Sequence, residues 1–177
     1  MAELRIAHTA DLDAATLEAA RTLLVDVFER DFTAQDWDHA LGGVHVLRYE
    51  GAELIGHAAV VQRRLLHGGR ALRAGYVEGV GVRADRQRSG HGAVMMGALE
   101  RVLRGAYELG ALGATDEAVA LYAACGWQQW RGPTFALTPS GVQRTAGEDG
   151  VIFVLPLAVA LDLSGSITCD WRDGDLW

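Results

Sequence analysis

The chain contains 177 residues, of which 50% are hydrophobic and 22% are charged, and its formal net charge is −7 at pH 7. This size suits a single domain over residues 1–177 with a sizeable core, and the apolar content excludes intrinsic disorder. The acidic balance argues against a nucleic-acid binder, whose domain is usually basic. It fits either a cleft for a cationic ligand or a surface that only aids solubility.

The cysteines and the N-terminus indicate the compartment. Cys125 and Cys169 do not form the framework of a secreted disulfide protein. The N-terminus has acids where a signal peptide needs a basic start, and no stretch reaches the ~18 apolar residues of a membrane span. We therefore expect a cytoplasmic protein with no membrane partner. The six histidines lack metal-ligand spacing, so no metal site is expected.

A strand and two helices are predicted at the start of the chain. Residues 4–8 alternate apolar and polar side chains, which indicates a strand. Thr9 or Asp11 can cap the helix that follows. Its apolar side chains fall on one face: Leu12, Leu17, Ala20, Leu23, Leu24 and Val27. A short second helix begins near Thr33, with Asp36 three residues on, and ends at a glycine pair.

Three strands are predicted next, joined by short turns. The segments 45–49, 54–64 and 71–82 are rich in valine, leucine and tyrosine that alternate with polar residues. Their connections, 50–52 and 67–69, contain glycine and are short enough for tight turns. Two hairpins of an antiparallel meander are therefore expected.

The second half of the chain adds two helices and further strands. Apolar residues at three- and four-residue steps predict a helix from about Gly90 to Leu109. A strand is expected at Ala111–Thr115, and Asp116 can cap a helix that ends near Cys125.

The rest of the chain completes the fold prediction. Residues 132–150 indicate a long loop or a ragged hairpin, 151–157 an apolar strand, and 170–177 a polar, acidic tail. Strands and helices in this order predict the α+β class with a mixed sheet.

The loop Gln87-Arg88-Ser89-Gly90-His91-Gly92 is the most informative segment. It precedes a long helix, whose first N–H groups lack partners and carry the positive end of the helix dipole. Its glycines let a phosphate approach the backbone. Three arginines add positive charge: Arg83, Arg86 and Arg88. The pattern predicts a pyrophosphate site or, alternatively, a plain helix entry; it is neither a Walker loop nor a Rossmann fingerprint.

This loop resembles the one by which the GNAT superfamily of acetyltransferases binds acetyl-CoA. Gln87, Gly90 and Gly92 match the motif Gln/Arg-x-x-Gly-x-Gly/Ala, and Tyr122 with Gly126-Trp127 matches aromatic-x-x-x-Gly-aromatic. The resemblance implies the GNAT fold, a mixed, mostly antiparallel sheet flanked by helices, with acetyl-CoA as co-substrate. It implies these cofactor-binding residues: Val80, Gly81, Val82, Gln87, Arg88, Ser89, Gly90, His91 and Gly92.

Sequence blocks spread from residue 31 to residue 177 resemble the aminoglycoside 2'-N-acetyltransferases, above all the tail CDWRDGDLW. A polyammonium sugar needs carboxylates and hydrogen-bonding groups. The resemblance implies these substrate-binding residues: Asp31, Asp36, Glu78, Gly79, Gly113, Glu148, Asp149, Asp175 and Trp177, the last through its α-carboxylate. Gly113 stands where relatives often have serine, and 147–149 replaces what is often a run of aspartates. Trp171 and Trp177 are expected to be buried and to order the tail.

The resemblance also implies roles in catalysis. Glu78 would take the proton of the amine through a water, or would only anchor an ammonium group. The Val80 N–H is the candidate donor to the oxyanion. Tyr122 would protonate the leaving thiolate, or would be a core tyrosine.

Several alternatives stay open at the level of sequence. The acceptor could be a polyamine, a cell-wall amino sugar or a protein N-terminus. The chain could also be a non-catalytic acyl-CoA sensor or an aminoglycoside-binding module. Relatives imply a homodimer, for which the apolar strand 151–157 is one candidate surface.

Overall fold

The computed structural model describes residues 2–177, except for the side chain of residue 30. The described strands are β1 (Ala2–His8), β2 (Val44–Glu50), β3 (Glu53–His67), β4 (Arg70–Val82), β5 (Leu109–Gly113), β6 (Gln128–Gln129), β7 (Thr134–Thr138), β8 (Gly141–Arg144), β9 (Ile152–Pro156) and β10 (Ile167–Cys169). The α-helices of the same range are α1 (Ala14–Phe28), α2 (Ala34–Ala40), α3 (His91–Ala106) and α4 (Val119–Ala124). The predicted α+β class is confirmed. None of the helices described is long and apolar enough to cross a membrane.

The backbone forms two compact units, to each of which β3, β4 and α3 contribute. The first unit runs up to Val61 and includes Val77–Arg101, and the second consists of Gln62–Tyr76 and Val102–Trp177. The two hairpins predicted between residues 45 and 82 fall at the turns that join β2 to β3 and β3 to β4.

The first unit is built on an antiparallel meander. β1 pairs with β2 along its whole length, from Ala2↔Glu50 to His8↔Val44, and β2 pairs with β3. Buried side chains of α1 and the segment before it, including Ala20 and Leu12, pack with Leu47 of β2. The helices therefore cover one face of this meander.

The helix starts of the first unit differ in how well they were predicted. α1 is capped by Asp13, whose carboxylate accepts from the Thr16 N–H at 2.7 Å, so the predicted cap at Thr9 or Asp11 is wrong. Thr9 and Asp11 instead form a 3₁₀ turn, and the Thr9 hydroxyl bonds other groups. At α2 the predicted capping box of Thr33 and Asp36 is present in both directions.

The second unit contains a mixed sheet in the order β6-β9-β5-β4-β3-β10-β7-β8. β4 and β5 are parallel, from Ala74↔Leu109 to Tyr76↔Ala111, and β10 and β7 are also parallel. The ladders β5–β9, β6–β9, β7–β8 and β3–β10 are antiparallel. The prediction of a mixed, mostly antiparallel sheet is confirmed.

Several boundaries in the second unit were predicted wrongly. α3 ends at Ala106, because the Glu108 N–H donates to the Arg73 carbonyl at 2.9 Å and Leu109 already pairs with Ala74. Asp116 does not cap α4 with its side chain; it begins a 3₁₀ turn ahead of the helix. Residues 132–150 contain the hairpin β7–β8, which is one of the two predicted options, whereas β10 was not predicted.

The apolar segment 151–157 forms β9, which lies between β5 and β6. Its side chains Ile152, Phe153, Val154 and Leu155 are all buried. A strand that is paired on both edges and buried within its own chain offers no surface to a second copy. The expectation that this strand is a dimer surface is therefore wrong.

Candidate active site

Strand β4 breaks its extended conformation at Gly79, where φ is +56°. α1 lies close to this point, since a Cβ at Gly79 would be 3.0 Å from the Leu24 Cδ1 and one at Gly81 would be 2.9 Å from the Leu24 Cδ2. Both the left-handed conformation and the close helix favour glycine. Glu78 and Val80, the predicted base and oxyanion donor, flank this break and are half-buried.

A chain of buried hydrogen bonds ends at the Gly79 carbonyl. The His57 Nδ1 lies 2.7 Å from the Gly79 carbonyl oxygen, and the His57 Nε2 lies 2.9 Å from the His45 Nδ1. The His45 Nε2 lies 2.8 Å from the Thr9 Oγ1. Burial lowers the pKa of each histidine to about 4, so both are neutral at pH 7.

The sequence alone did not reveal this histidine pair, because its histidines lack metal-ligand spacing and these two are 12 positions apart. The residues lie on neighbouring antiparallel strands, where His45 is opposite Ala59 and His57 is opposite Leu47. The two positions are therefore diagonal neighbours in the ladder, which is a distance that long side chains can bridge. The register of the β2–β3 hairpin, had it been known, would have shown that the two histidines are neighbours.

The arginines at the edge of the cofactor loop are neutralised within the protein. The Arg83 guanidinium pairs with Asp85 and with Glu53, and Arg86 pairs with Asp85 and with Glu50. These pairs raise the pKa of both guanidinium groups and lower that of the Asp85 and Glu50 carboxyls. The expectation that Arg83 and Arg86 add positive charge to the loop is therefore wrong, since they fix its shape instead.

The backbone of the loop is shaped to face an anion. Arg88 and Gly90 have φ of +59° and +81°, and a Cβ at Gly90 would meet no atom within 4 Å. The Val94 N–H donates to the Gly90 carbonyl at 3.1 Å, which closes the first turn of α3. Alternating backbone conformations of this kind turn N–H groups toward a common point, as in anion-binding nests. The segment fits a pyrophosphate.

Side chains on either side of that backbone are held by strands. The Gln87 Nε2 donates to the Val82 carbonyl at 3.1 Å, and the Arg48 Nε donates to the His91 Nδ1 at 3.3 Å. None of the ion pairs found among residues 2–177 contains Arg88. Its guanidinium is therefore the loop cation best suited to meet a phosphate.

The two acids predicted near α2 differ in their surroundings. Asp31 is exposed at the end of a 3₁₀ turn. The Asp36 Oδ2 accepts from the Thr33 N–H at 2.7 Å and from the Thr33 hydroxyl at 2.8 Å. Asp36 thus shapes the helix start, and a role in binding an ammonium group would add to that local one.

In the second unit, the tail is anchored by Arg63, which is only 4% exposed. Its Nε donates to the Asp170 Oδ1 at 2.7 Å, and its Nη2 donates to the carbonyls of Asp170 and Leu176 at 3.0 and 2.8 Å. The buried Cys169 thiol lies 3.3 Å from the same Leu176 carbonyl, and burial raises its pKa. Sequence reasoning missed Arg63, because its partners lie more than a hundred residues away.

The last residue is held by the β7–β8 region. Trp177 is 7% exposed, and its indole N–H donates to the Thr145 Oγ1 at 3.0 Å. An ideal Cβ on Gly113 would lie 4.0 Å from the Trp177 carbonyl carbon and 3.7 Å from the Tyr76 hydroxyl. Trp171 is 49% exposed, so the expectation that both tryptophans are buried holds for Trp177 and is wrong for Trp171.

The acids of the second unit fall into two kinds. Arg144 pairs with Asp149 and is the main reason why the pKa of that carboxyl falls to about 2. Glu148 has the opposite shift: burial and the nearby charge of Asp175 raise its pKa. Two carboxylates that repel each other are the arrangement that a cationic ligand would relieve.

Tyr122 lies on α4 and is 5% exposed. Burial is the main reason why its pKa rises to about 12, so the phenol keeps its proton at neutral pH. Its ring centroid lies 6.3 Å from that of Trp127, and its carbonyl accepts from the Trp127 N–H at 3.0 Å. The tyrosine is held in place by the turn that follows its own helix.

A loop suited to a pyrophosphate, between a strand and a helix of an α+β fold, is compatible with a class of acyl-CoA-dependent transferases. Residues 12–127 match the model of the acetyltransferase (GNAT) family, so the chain belongs to that family and uses acetyl-CoA as its co-substrate. Among curated proteins, the chain is 52% identical over 177 residues to the aminoglycoside 2'-N-acetyltransferase of Mycolicibacterium fortuitum, covering 98% of this chain and 91% of that protein.

Solved structures support the fold at lower identity. Escherichia coli ElaA superposes with a TM-score of 0.65 at 18% identity, over 88% of this chain and 99% of that one. The ribosomal-protein-S18-alanine N-acetyltransferase of Escherichia coli superposes with a TM-score of 0.60 at 16% identity, over 90% and 97%. The prediction of the GNAT fold is confirmed.

Proposed function

We propose that the chain transfers acetyl from acetyl-CoA to the 2'-amine of aminoglycoside antibiotics and thereby confers resistance to them. The observation that carries this proposal is the 52% identity, over 98% of the chain, to an aminoglycoside 2'-N-acetyltransferase. Both the acceptor and the position of the acetylated amine come from that likeness.

The acids of the second unit support a polycationic acceptor. Glu148 and Asp175 lie close enough for the charge of one to raise the pKa of the other. An ammonium group near both would remove that repulsion and gain charge-assisted hydrogen bonds. We propose these acceptor-binding residues: Asp31, Asp36, Glu78, Gly79, Gly113, Glu148, Asp149, Asp175 and Trp177. Asp149 is already neutralised by Arg144, so we expect it to contribute less than Glu148.

The first unit supports binding of the co-substrate. We propose that backbone N–H groups of residues 87–92 and the Arg88 guanidinium hold the pyrophosphate of acetyl-CoA, where the positive φ at Arg88 and Gly90 leaves room for it. Val80, Gly81 and Val82 would hold the pantetheine arm through their backbone. Bound in this way, acetyl-CoA would supply an activated acetyl carbonyl.

Glu78, Val80 and Tyr122 are the proposed catalytic groups. Glu78 takes a proton from the sugar ammonium group, through a water, so that a neutral amine can attack. The Val80 N–H donates to the carbonyl oxygen as negative charge develops on it. Tyr122 donates its proton to the leaving sulfur. Because its pKa is about 12 and that of a free thiol is about 8.5, this transfer must be nearly concerted with departure.

We further infer that both units form one domain, because β3 and β4 run unbroken through them. We also propose that the protein is cytoplasmic and forms a homodimer, the second of these as the family resemblance implies. Analytical ultracentrifugation at micromolar concentration tests the dimer, for which a single species of monomer mass would be the contrary result.

The proposed activity is tested by thiol release from acetyl-CoA with two matched aminoglycosides, one with a 2'-amine and one with a 2'-hydroxyl. Release with the amine alone supports both the activity and the position. Equal release with both compounds keeps the acetyltransferase and rejects the 2' position. No release with either rejects aminoglycosides as acceptors and directs the search to polyamines and amino sugars.

The role of Glu78 is tested by Glu78→Gln. Turnover should fall most at low pH, where more of the amine must lose a proton, while the KM for acetyl-CoA stays close to that of the wild type. If Glu78 only anchors an ammonium group, the KM for the aminoglycoside rises and the shape of the pH profile stays the same.

A further inference from the structure

We infer that His57 is a positioning residue for acetyl transfer, which acts by orienting and polarising the peptide group between Gly79 and Val80. This inference rests on the proposed function, in which the Val80 N–H stabilises the oxyanion. It assigns a task to a buried histidine pair that the proposed mechanism otherwise leaves unused.

The geometry of a peptide bond links His57 to Val80. The Gly79 carbonyl and the Val80 N–H belong to one planar trans peptide, so they point in opposite directions. His57 holds that carbonyl oxygen at 2.7 Å from its Nδ1. Fixing the direction of the carbonyl therefore fixes the direction of the N–H.

The peptide needs such a constraint because Gly79 departs from the strand conformation. Its φ of +56° lies in the left-handed region, and a glycine has no Cβ whose contacts would fix the orientation of the next peptide. A donor on the carbonyl also polarises the whole amide, which strengthens the N–H as a donor on the other side. An oxyanion is stabilised most by donors that are already oriented before the reaction.

The hydrogen-bond network fixes the proton positions on both imidazoles. The Gly79 carbonyl can only accept, so the His57 Nδ1 carries a proton and its Nε2 accepts from the His45 Nδ1. The His45 Nε2 then accepts the one Thr9 hydroxyl proton at 2.8 Å, in preference to the Gly43 carbonyl, which lies 3.2 Å from the same oxygen. The Gly42 N–H in turn donates to the Thr9 Oγ1 at 2.9 Å. Every member of this chain has a partner, with both rings neutral.

The surroundings keep the pair neutral. Both histidines are fully buried, and the Trp37 ring lies 6.3 Å from His45 and 6.0 Å from His57 between ring centroids. The charge of the nearby His8 further disfavours protonation of His45. Burying two imidazoles costs more than filling the same volume with leucine. A role at the one irregular peptide of β4 accounts for that cost, whereas packing alone does not.

Two substitutions of His57 separate positioning from packing. His57→Asn places an amide nitrogen near the position of Nδ1 and keeps the donor to the Gly79 carbonyl, but it loses the contact with His45. His57→Gln places its side-chain amide near the position of Nε2, where the amide oxygen accepts from the His45 Nδ1–H, so this variant keeps the contact with His45 and loses the one with Gly79. Each variant gives up one end of the same buried chain, which makes them matched controls for stability.

We expect the two variants to differ in kcat. Removal of an oxyanion donor costs about 100- to 1,000-fold in kcat, so loss of its orientation in His57→Gln should cost about 10- to 100-fold. His57→Asn should retain most of the turnover, within about threefold. The KM for acetyl-CoA should change less than kcat in both variants, because residues 87–92 are untouched and only one of the peptide groups proposed to hold the pantetheine arm is disturbed. Equal losses of kcat in the two variants, at equal thermal stability, would overturn the inference.

The pH profile and NMR give two further readouts. Because the histidines are neutral throughout pH 6–9, the ratio of wild-type to His57→Gln turnover should be constant there, whereas a proton relay through His57 would change the shape of the profile. In the wild type, 15N shifts should show a proton on the His57 Nδ1, and the Val80 amide proton should move upfield in His57→Gln only. The reverse tautomer would refute the inference, even if the enzyme proved to acetylate a different amine.

Discussion

The cofactor loop of the first unit and the acidic tail region of the second unit use charge in opposite ways. In the loop, residues 83–92, carboxylates neutralise Arg83 and Arg86, which leaves the backbone and Arg88 for the proposed pyrophosphate. In the tail region, residues 144–149 and 170–177, arginines pair with Asp149 and Asp170, which leaves Glu148 and Asp175 for the proposed ammonium groups. In each region, some of the side chains whose charge is opposite to that of the proposed ligand form internal ion pairs, and others are left for the ligand.

The difference shows what each kind of site requires. A pyrophosphate can be held by backbone N–H groups, so its site is compact and local in the sequence. Ammonium groups need oxygen acceptors with negative charge, which only side chains and a chain terminus supply. A site for several ammonium groups must therefore collect residues from distant segments, and it depends on long-range anchors such as Arg63.

Replacement of Arg63 should have the largest effect. Arg63→Met leaves Asp170 without its buried partner and frees the Leu176 carbonyl, which should lower the free energy of unfolding by about 3 kcal/mol. Urea denaturation measures this loss. The exposed neighbour Arg64→Met should change it by less than about 0.5 kcal/mol. If the two variants are equally stable, the tail does not depend on a side-chain anchor and the comparison fails.

Acid should destabilise the two units in different pH windows. The folded pKa of His45 and His57 is about 4, below the ordinary 6.5, so the unfolded chain takes up protons first. Stability should be fully present above pH 6.5 and fall toward pH 4, by about 3 kcal/mol for one imidazole. Asp149, whose pKa is about 2, should lose its contribution only below about pH 4.

Thermal unfolding between pH 7 and pH 3 checks these windows. In His57→Asn one of the titrating imidazoles is gone, so the fall between pH 6.5 and pH 4 should be less steep than in the wild type. In Asp149→Asn the loss of stability below pH 4 should be smaller than in the wild type, and the loss between pH 6.5 and pH 4 should be the same. A wild-type stability that is flat from pH 7 to pH 4.5 would contradict a neutral buried pair.

The loop is tested by Gly90→Ala. At φ of +81° an alanine is strained, which should cost about 1–2 kcal/mol and raise the KM for acetyl-CoA about tenfold. Gly97, in the body of α3 and with no atom within 4 Å of an added Cβ, provides the matched control, because Gly97→Ala should stabilise the protein by about 0.5–1 kcal/mol. Calorimetry and initial rates measure both effects. If both substitutions change the stability in the same direction, Gly90 is not held in a left-handed conformation. If the KM for acetyl-CoA stays the same in Gly90→Ala, the conformation of the loop does not matter for cofactor binding.

The smallest effect on stability is expected at Glu148. Glu148→Gln removes the repulsion between this side chain and Asp175, so the free energy of unfolding should rise by about a few tenths of a kcal/mol. The KM for a 2'-amino aminoglycoside should nevertheless rise several-fold. Glu117→Gln, at an exposed acid of the same unit, should change neither quantity. An unchanged KM in Glu148→Gln would remove that carboxylate from the acceptor site.

Sequence reasoning recovered what is local. The capping box at Thr33 and the hairpins depend on residues only a few positions apart, and the loop 87–92 has a motif whose chemistry is contained within it. The ends of α3 and β5 were missed because Leu109 fits a helical pattern and is drawn into a strand by its pairing with Ala74. Tertiary pairing overrode the local preference there.

The long-range part of the candidate site could not be derived from the sequence. Arg63 and Asp170 are 107 positions apart, and nothing near either residue identifies the other. His45 and His57 become a pair only once the register of β2 and β3 is known. The pairing of Asp149 with Arg144 is an exception, since five positions separate them and a hairpin was one of the predicted options.

The buried Cys169 makes the attachment of the tail measurable without an engineered cysteine. Its thiol is shielded by the residues that Arg63 holds in place, and its raised pKa keeps it unreactive while that structure is closed. A thiol reagent can therefore modify it only during local opening, whereas Cys125, which is half-buried, serves as an internal reference. The ratio of the two modification rates measures how often the last eight residues detach from the rest of the fold. An aminoglycoside that binds these residues should lower the modification rate of Cys169.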